Sequence, residues 1–287
     1  MDSLHSALPD LRILAVNSFY SPGIASMGGT RPAIFTGPLS TTELYDHGGK
    51  AAVLDQLTER LVYGNYPRVY LADAGMETIL ARLCGESLIT DITFSHDIRL
   101  PSLLKRTLEI LARGLGKQVT YAGIAARTGK DTKTAEKYLE LLERAYLVYR
   151  IWSYCKNVSN ELRHSFKVGF WDNGIRNSCL DDFRPVDKRQ DADALWENYF
   201  ITERRKALLY TGRGFRQHFW RSTQNQEISL IELSGHRISA YGLKWGPGKP
   251  LRLPLTFRNS YPNVRMETAN RFNYLNHTLE QQLRLVL

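Results

Sequence analysis

Residues 119–171 constrain the rest of this chain most: VTYAGIAARTGKDTKTAEKYLELLERAYLVYRIWSY, a polar loop, then FKVGFW. Thr120 is placed to cap a short helix over residues 121–127, and Gly129 is suited to close it in a left-handed conformation. A second helix follows, capped by Asp131 or Thr132. Its apolar residues Ala135, Leu139, Leu142 and Tyr146 recur at i, i+4, i+7 and i+11, one face at 3.6 residues per turn. Two helices joined by a short turn form a helix–turn–helix pattern. The Tyr, Val, Ile and Trp run after it reads as a strand, residues 155–165 as a polar loop, and residues 166–171 as a returning strand. Helix, turn, helix and hairpin in succession predict a winged helix.

Composition sets the outer bounds. A chain of 287 residues with 43% hydrophobic and 23% charged residues has room for two or three compact units with good cores. No apolar run approaches the roughly 18 residues of a spanning helix, and the first residues lack a basic-then-apolar leader. The expected location is therefore cytoplasmic, with no membrane partner. Cys84, Cys155 and Cys179 lie far apart and form no CxxC pair, so neither a disulfide framework nor a zinc site is indicated. The formal net charge is +9. Residues 1–115 hold 10 Lys+Arg against 12 Asp+Glu, residues 116–180 hold 11 against 6, and residues 181–287 hold 17 against 11. The basic excess thus falls in the later segments, which favours a polyanionic partner.

Before the helix–turn–helix, residues 11–16 (LRILAV) read as a buried strand, residues 23–32 as a loop and residues 33–39 as a further short strand. Two strands cannot cover a sheet, so this beginning reads as the tail of a larger α/β domain. The Gly-Lys pairs at 49, 116, 129 and 248 lack both the earlier glycine and the following Ser or Thr of a phosphate-binding loop. ATP hydrolysis by this chain alone is not expected. Residues 51–115 read as helical, with His47 and His96 expected at the surface rather than on a metal.

The predicted recognition helix carries Lys130, Lys133, Lys137 and Arg144 at helical spacing, a stripe able to face phosphates. Asp131, Glu136, Glu140 and Glu143 lie beside them, and no Asn or Gln is present to read bases. The loop and returning strand add Lys156, Arg163 and Lys167. Base-specific reading, phosphate contact and protein packing all remain open for this element. Beyond it, residues 192–209 form an amphipathic helix marked by Leu195, Tyr199, Ile201 and Leu208. Strands are expected at 217–221, 227–233 and 237–244, the last two joined by a turn at Ser234-Gly235. Trp152, Trp171, Trp196 and Trp220 are expected to be packing aromatics.

Several blocks occur in one order: GNYPRVYLAD (64–73), the helix–turn–helix, KVGFWDNGIRN (167–177), DADALWENYFITERR (191–205), FWRSTQNQEISLIEL (219–233), SAYGLKW (239–245) and SYPNVRM (260–266). This series resembles the C-terminal two-thirds of bacterial and archaeal AAA-type ATP-binding proteins. Their P-loop ATPase domain precedes a winged helix and a restriction-endonuclease-like domain. The resemblance implies an α/β (α+β) chain divided into an ATPase remnant (1–50), a helical segment (51–115), a winged helix (116–180) and a restriction-endonuclease-like domain (181–287). PDLRILAVNS (9–18) is similar to the family's late ATPase strand, which makes Asn17 and Arg31 remnants of nucleotide sensing. The upstream nucleotide motifs are absent, so a truncated gene product, a remnant or a fragment is expected.

Active nuclease-like members hold Mg²⁺ with a helix Glu, a strand Asp and the Glu of an ExK motif, whose Lys assists the attacking water. Here Glu197 matches the helix acid and Lys244 the lysine, but Ser229 and Gly242 stand at the other two carboxylate positions. Glu227 shares a strand face with Ser229 by alternation and is the substitute carboxylate. The expectation is a degraded site in a non-catalytic module that binds nucleic acid through phosphates, or a protein, with no cofactor. The alternatives are an Mg²⁺-dependent nuclease using Glu197, Glu227 and Lys244, and an inactive remnant.

Overall fold

A computed structural model describes residues 37–88, 100–154, 165–212, 214–222, 224–235, 237–247 and 251–279. The strand expected at 11–16, the loop at 23–32, Asn17, Arg31, His96, Cys155, Lys156 and Arg163 lie outside the described residues.

The described chain opens with helices where a strand was expected. Residues 37–39 are not extended into a strand. Ser40 instead caps α1 (Thr41–Asp55) in a reciprocal box with Glu43, and the helix kinks at Gly49. The 50/51 boundary drawn from sequence therefore falls inside this helix. Then come α2 (Leu57–Tyr63), α3 (Pro67–Tyr70) and α4 (Met76–Arg82), followed by one π-helical stretch, Leu83–Leu88.

The helix–turn–helix forms as its pattern requires. After α5 (Pro101–Arg113) and β1 (Gln118–Val119), the Thr120 hydroxyl accepts the Gly123 N–H at 2.9 Å to start α6 (Tyr121–Thr128). Gly129 closes that helix at φ +68°. Asp131 caps α7 (Thr132–Arg144) by accepting the Thr134 N–H at 2.9 Å. Ala135, Leu139 and Leu142 are buried as the periodicity demands, but Tyr146 is not on this face. The helix ends at Arg144, and Tyr146 sits at φ +52° with 46% of its surface exposed. Helices α5, α6 and α7 share one apolar core through Leu104, Leu108, Ile124 and Leu139, so residues 101–115 belong with the helix–turn–helix.

β2 (Val148–Ser153) and β3 (Phe166–Phe170) form the hairpin, α8 (Asn173–Ser178) follows, and α9 (Ala192–Tyr210) runs 19 residues. Then come β4 (Phe215–Arg221), β5 (Glu227–Ser234), β6 (Arg237–Leu243), α10 (Leu255–Ser260), β7 (Arg265–Ala269) and α11 (Leu275–Thr278). All seven strands join one mixed sheet in the order β1-β3-β2-β4-β5-β6-β7. β2 and β4 pair in parallel through Trp152 and His218, which makes the hairpin continuous with the later strands. β6 and β7 are also parallel, and the remaining neighbours are antiparallel.

The two faces of this sheet carry separate cores. Trp196, Tyr199 and Phe200 of α9 pack with Phe219, Leu230 and Tyr241 on one side. Phe257 of α10 packs with Ile228, Ile231 and Ala240 on the other. Between the His218–Ile231 and Trp220–Ile228 pairs, β5 carries one residue more than β4. This bulge breaks strict alternation next to Ser229 and explains how Ile228 and Ile231 reach the same core.

Two glycines allow the close packing of α2 on α8. Gly64 lies at φ +74°, and a methyl group there would fall 2.1 Å from the Asp172 carboxylate. A methyl group on Gly174 would fall 2.0 Å from the carbonyl oxygen of Tyr63. Backbone cannot yield as a side-chain tip does. Gly174→Ala is expected to destabilise the fold by about 1–3 kcal/mol or more, read as a lower urea midpoint at unchanged m-value.

Candidate functional site

The site begins with β3, whose five residues are all buried. Phe166, Val168 and Phe170 enter the helix–turn–helix core. The alternate residues point the other way, towards α9, which leaves a lysine to be accommodated under a helix. Lys167 is 3% exposed, and its ammonium donates to Glu197 Oε1 at 2.8 Å and to Glu227 Oε1 at 2.6 Å. The same nitrogen stands 5.6 Å from the centre of the Phe219 ring. Burial pulls the Lys167 ammonium down, and the Glu197 and Glu227 carboxylates together pull it up further, so it titrates above an ordinary lysine.

Two of the three residues expected to be catalytic thus meet. Glu197 from α9 and Glu227 from β5 converge, but the cation between them is not Lys244. The Lys244 side chain is exposed at the end of β6 and forms no hydrogen bond or ion pair among the described residues. Lys167, expected to contact phosphate, is removed from that role because α9 covers its side of the hairpin. The sequence signal for this was the run FKVGF, in which a single charge sits amid apolar residues on both parities. Among the described residues, no group of three or more His, Cys, Asp or Glu side chains is placed to hold a metal.

The remaining polar residues of KVGFWDNGIRN hold elements together. Asp172 accepts the N–H groups of Asn65 at 2.7 Å and Ile175 at 3.0 Å, and burial raises its pKa. Asn177 donates to Val62 O at 2.8 Å and accepts from the guanidinium groups of Arg176 and Arg189. Both arginines pair with Asp191 at the start of α9, at 2.6 and 2.8 Å. A motif dense in Asp, Asn and Arg is here a joint between α2, α8 and α9.

A second surface lies on α7. Lys130, Lys133, Lys137 and Arg144 are all exposed, and none makes an ion pair among the described residues. Lys133, Lys137 and Arg144 fall on the side opposite the buried Ala135, Leu139 and Leu142. Glu143, counted from sequence as a neutralising neighbour, is instead turned to Arg150 of β2 at 2.5 Å and also accepts the Arg150 N–H. The Arg150 guanidinium is held in addition by the Tyr121 hydroxyl. Asp131, Glu136 and Glu140 are left against the four cations. Trp171 and Trp196 are buried as expected and Trp220 packs on Phe257, while Trp152 is 37% exposed beside Arg150.

A family model described as a domain of unknown function (DUF8612) matches residues 54–185. That segment holds the helix–turn–helix, the hairpin and Lys167, and stops short of Glu197 and Glu227. An uncharacterized protein of Haemophilus influenzae is 29% identical over 138 residues, covering 46% of this chain and 34% of that protein. An uncharacterized protein of Mycobacterium tuberculosis is 29% identical over 142 residues, covering 48% of this chain and 31% of that protein. The chain spans about a third of the length of these curated relatives. No solved structure matches it.

The ion cluster makes a testable demand. Lys167→Met leaves Glu197 without its counter-charge and Glu227 with Arg221 alone, at 3.8 Å, and because Glu227 is exposed the expected cost is about 1–3 kcal/mol. Adding Glu197→Gln and Glu227→Gln should restore a large part of that loss, as read from urea midpoints of the single and triple variants. Because the folded pKa of Lys167 is raised, its stabilisation is complete below the unfolded lysine value of about 10.4 and is lost as pH rises through the folded one. The wild type should therefore lose more stability than the triple variant above about pH 10.

Proposed function

We propose that this chain is a non-catalytic nucleic-acid-binding module, in which a winged helix contacts phosphates and a restriction-endonuclease-like domain serves as its scaffold. The winged-helix reading is supported by the chain order α5, β1, α6, α7, β2, β3 together with the strand order β1-β3-β2. The nuclease-like reading is supported by α9, the β4-β5-β6 meander, α10 and a β7 strand parallel to β6. Both agree with the resemblance to the C-terminal part of AAA-type ATP-binding proteins.

One observation carries the binding role: Lys130, Lys133, Lys137 and Arg144 stand exposed on and beside α7 while Glu143 is drawn away by Arg150. Arg127 is also exposed, and its carbonyl accepts from Arg106 at 2.8 Å, which extends the basic surface past the turn. With no Asn or Gln on α7, the chemistry fits phosphate contact better than base reading. The Mg²⁺ nuclease alternative is disfavoured because an ammonium already fills the space between Glu197 and Glu227, and Ser229 and Gly242 bring no carboxylate.

Fluorescence anisotropy of labelled duplex DNA across a salt titration tests this reading. The Lys133→Glu/Lys137→Glu variant should bind on the order of tenfold or more weakly at low salt, and its salt slope should shrink by about 2 if each lysine meets one phosphate. Equal affinity and an equal slope in the variant would remove α7 as the binding face. Mg²⁺-dependent cleavage by the wild type would overturn the non-catalytic part.

A further inference from the structure

The cysteines, spread far apart in sequence, are not all apart in space. The sulfurs of Cys84 and Cys179 stand 3.5 Å from each other, both as free thiols. Cys84 is 8% exposed and begins the second residue of the π-helical stretch that follows α4. Cys179 ends α8 and is partly exposed. A disulfide has a sulfur separation of about 2.05 Å, so closure asks for a shift of roughly 1.5 Å. A π-helical turn is a wide, locally irregular one and sits on one side of the gap.

We propose that Cys84 and Cys179 form a reversible thiol–disulfide pair, closed by a small peroxide, that links the two ends of the segment running from residue 84 to residue 179. Everything from α5 to α8 lies between them, including the helix–turn–helix and the hairpin. The bond would therefore ring the whole unit rather than staple one turn to the next. This inference does not depend on what the basic face of α7 binds.

The chemistry divides between the two sulfurs. The contact with Cys179 lowers the Cys84 thiol against the upward push of burial, and Lys105 adds to the lowering. The same contact, with burial, raises the Cys179 thiol. In the proposed step the Cys84 thiolate attacks one peroxide oxygen, the O–O bond breaks, and hydroxide leaves to be protonated. The Cys84 sulfenic acid is then attacked by Cys179, the S–O bond breaks, and water departs as the S–S bond forms. In sum, two thiols and one hydrogen peroxide give one disulfide and two waters, the two electrons passing from sulfur to the peroxide oxygens. A thiol reductant reverses the closure by exchange.

The full chain carrying Cys155→Ser, so that two thiols remain, is the material for the test. After exposure of the folded protein to hydrogen peroxide, thiol titration in denaturant should fall from two to none. Peptide mapping should recover a fragment joining Cys84 to Cys179. The melting temperature should rise by roughly 5–10 °C, as closing so long a loop predicts, and return with dithiothreitol. Cys179→Ser should yield no joined fragment and no rise, and should instead trap a dimedone-reactive sulfenic acid at Cys84. If the Cys155→Ser chain does not fold, the joined fragment in the wild-type chain is the readout. Two titratable thiols after peroxide, or sulfinic acid at Cys84 with no joined fragment, would overturn the proposal.

Discussion

The structure depends on a helix buried nearly all round that nevertheless carries charge. Twelve of the 19 residues of α9 are buried, among them Glu203, Arg204 and Lys206. Charges taken out of water are tolerated only when paired and fully hydrogen-bonded. Glu203 accepts from the Thr41 N–H at 2.6 Å, the Thr41 hydroxyl at 2.9 Å, Asn65 at 3.2 Å and the Lys206 ammonium at 2.6 Å. Arg204 grips Glu232 of β5 with two bonds of 2.6 Å and donates a third to the His277 carbonyl. Apart from Lys206 on α9 itself, each partner lies on a different element, so α1, the loop after α2, β5 and α11 are all positioned by the needs of one helix. Buried pairs of this kind contribute little net stability. Their effect is on arrangement, since any misplacement leaves a charge in an apolar core.

The Lys167 cluster follows the same rule nearly two turns earlier on α9, and it has a chemical consequence. A pair of convergent carboxylates would ordinarily attract a hard divalent cation, with oxygen ligands and waters completing the shell. Here the counter-charge is an ammonium supplied by β3, tethered to the backbone and donating to both glutamates. A tethered cation brings no open coordination position and no bound water to activate. It does tie the hairpin to the domain that follows, across a sheet already continuous through the parallel contact of β2 with β4. Asn198 and Thr202 of α9 reinforce that seam by bonding the backbone of Phe170.

With one side of the hairpin occupied by α9, the outward side of the helix–turn–helix stays exposed. Its charge is set by tertiary pairing more than by composition. α7 is nearly neutral when its residues are counted, yet Arg150 reaches from β2 to take Glu143, and Asp131 is drawn into the cap. The exposed lysines are then opposed by fewer acids than the count suggests. The same principle, acting inward, makes the Asp, Asn and Arg residues of residues 172–177 a structural joint.

The helix–turn–helix was legible in the sequence because its determinants are local: a threonine and an aspartate at caps, a glycine where φ must be positive, and apolar residues at a 3.6-residue period. The meander after α9 was legible for a like reason, its strands bounded by turn residues. What local signals do not encode is which faces meet. Lys167 looked like a surface lysine until α9 covered it, Lys244 was grouped with Glu197 and Glu227 but lies exposed just past β6, and Cys84 met Cys179 only because α8 packs against the stretch after α4. Backbone periodicity is a property of neighbours in sequence, and so the amino acids alone determined the elements. Burial and charge pairing are properties of neighbours in space, and these only the tertiary structure decided.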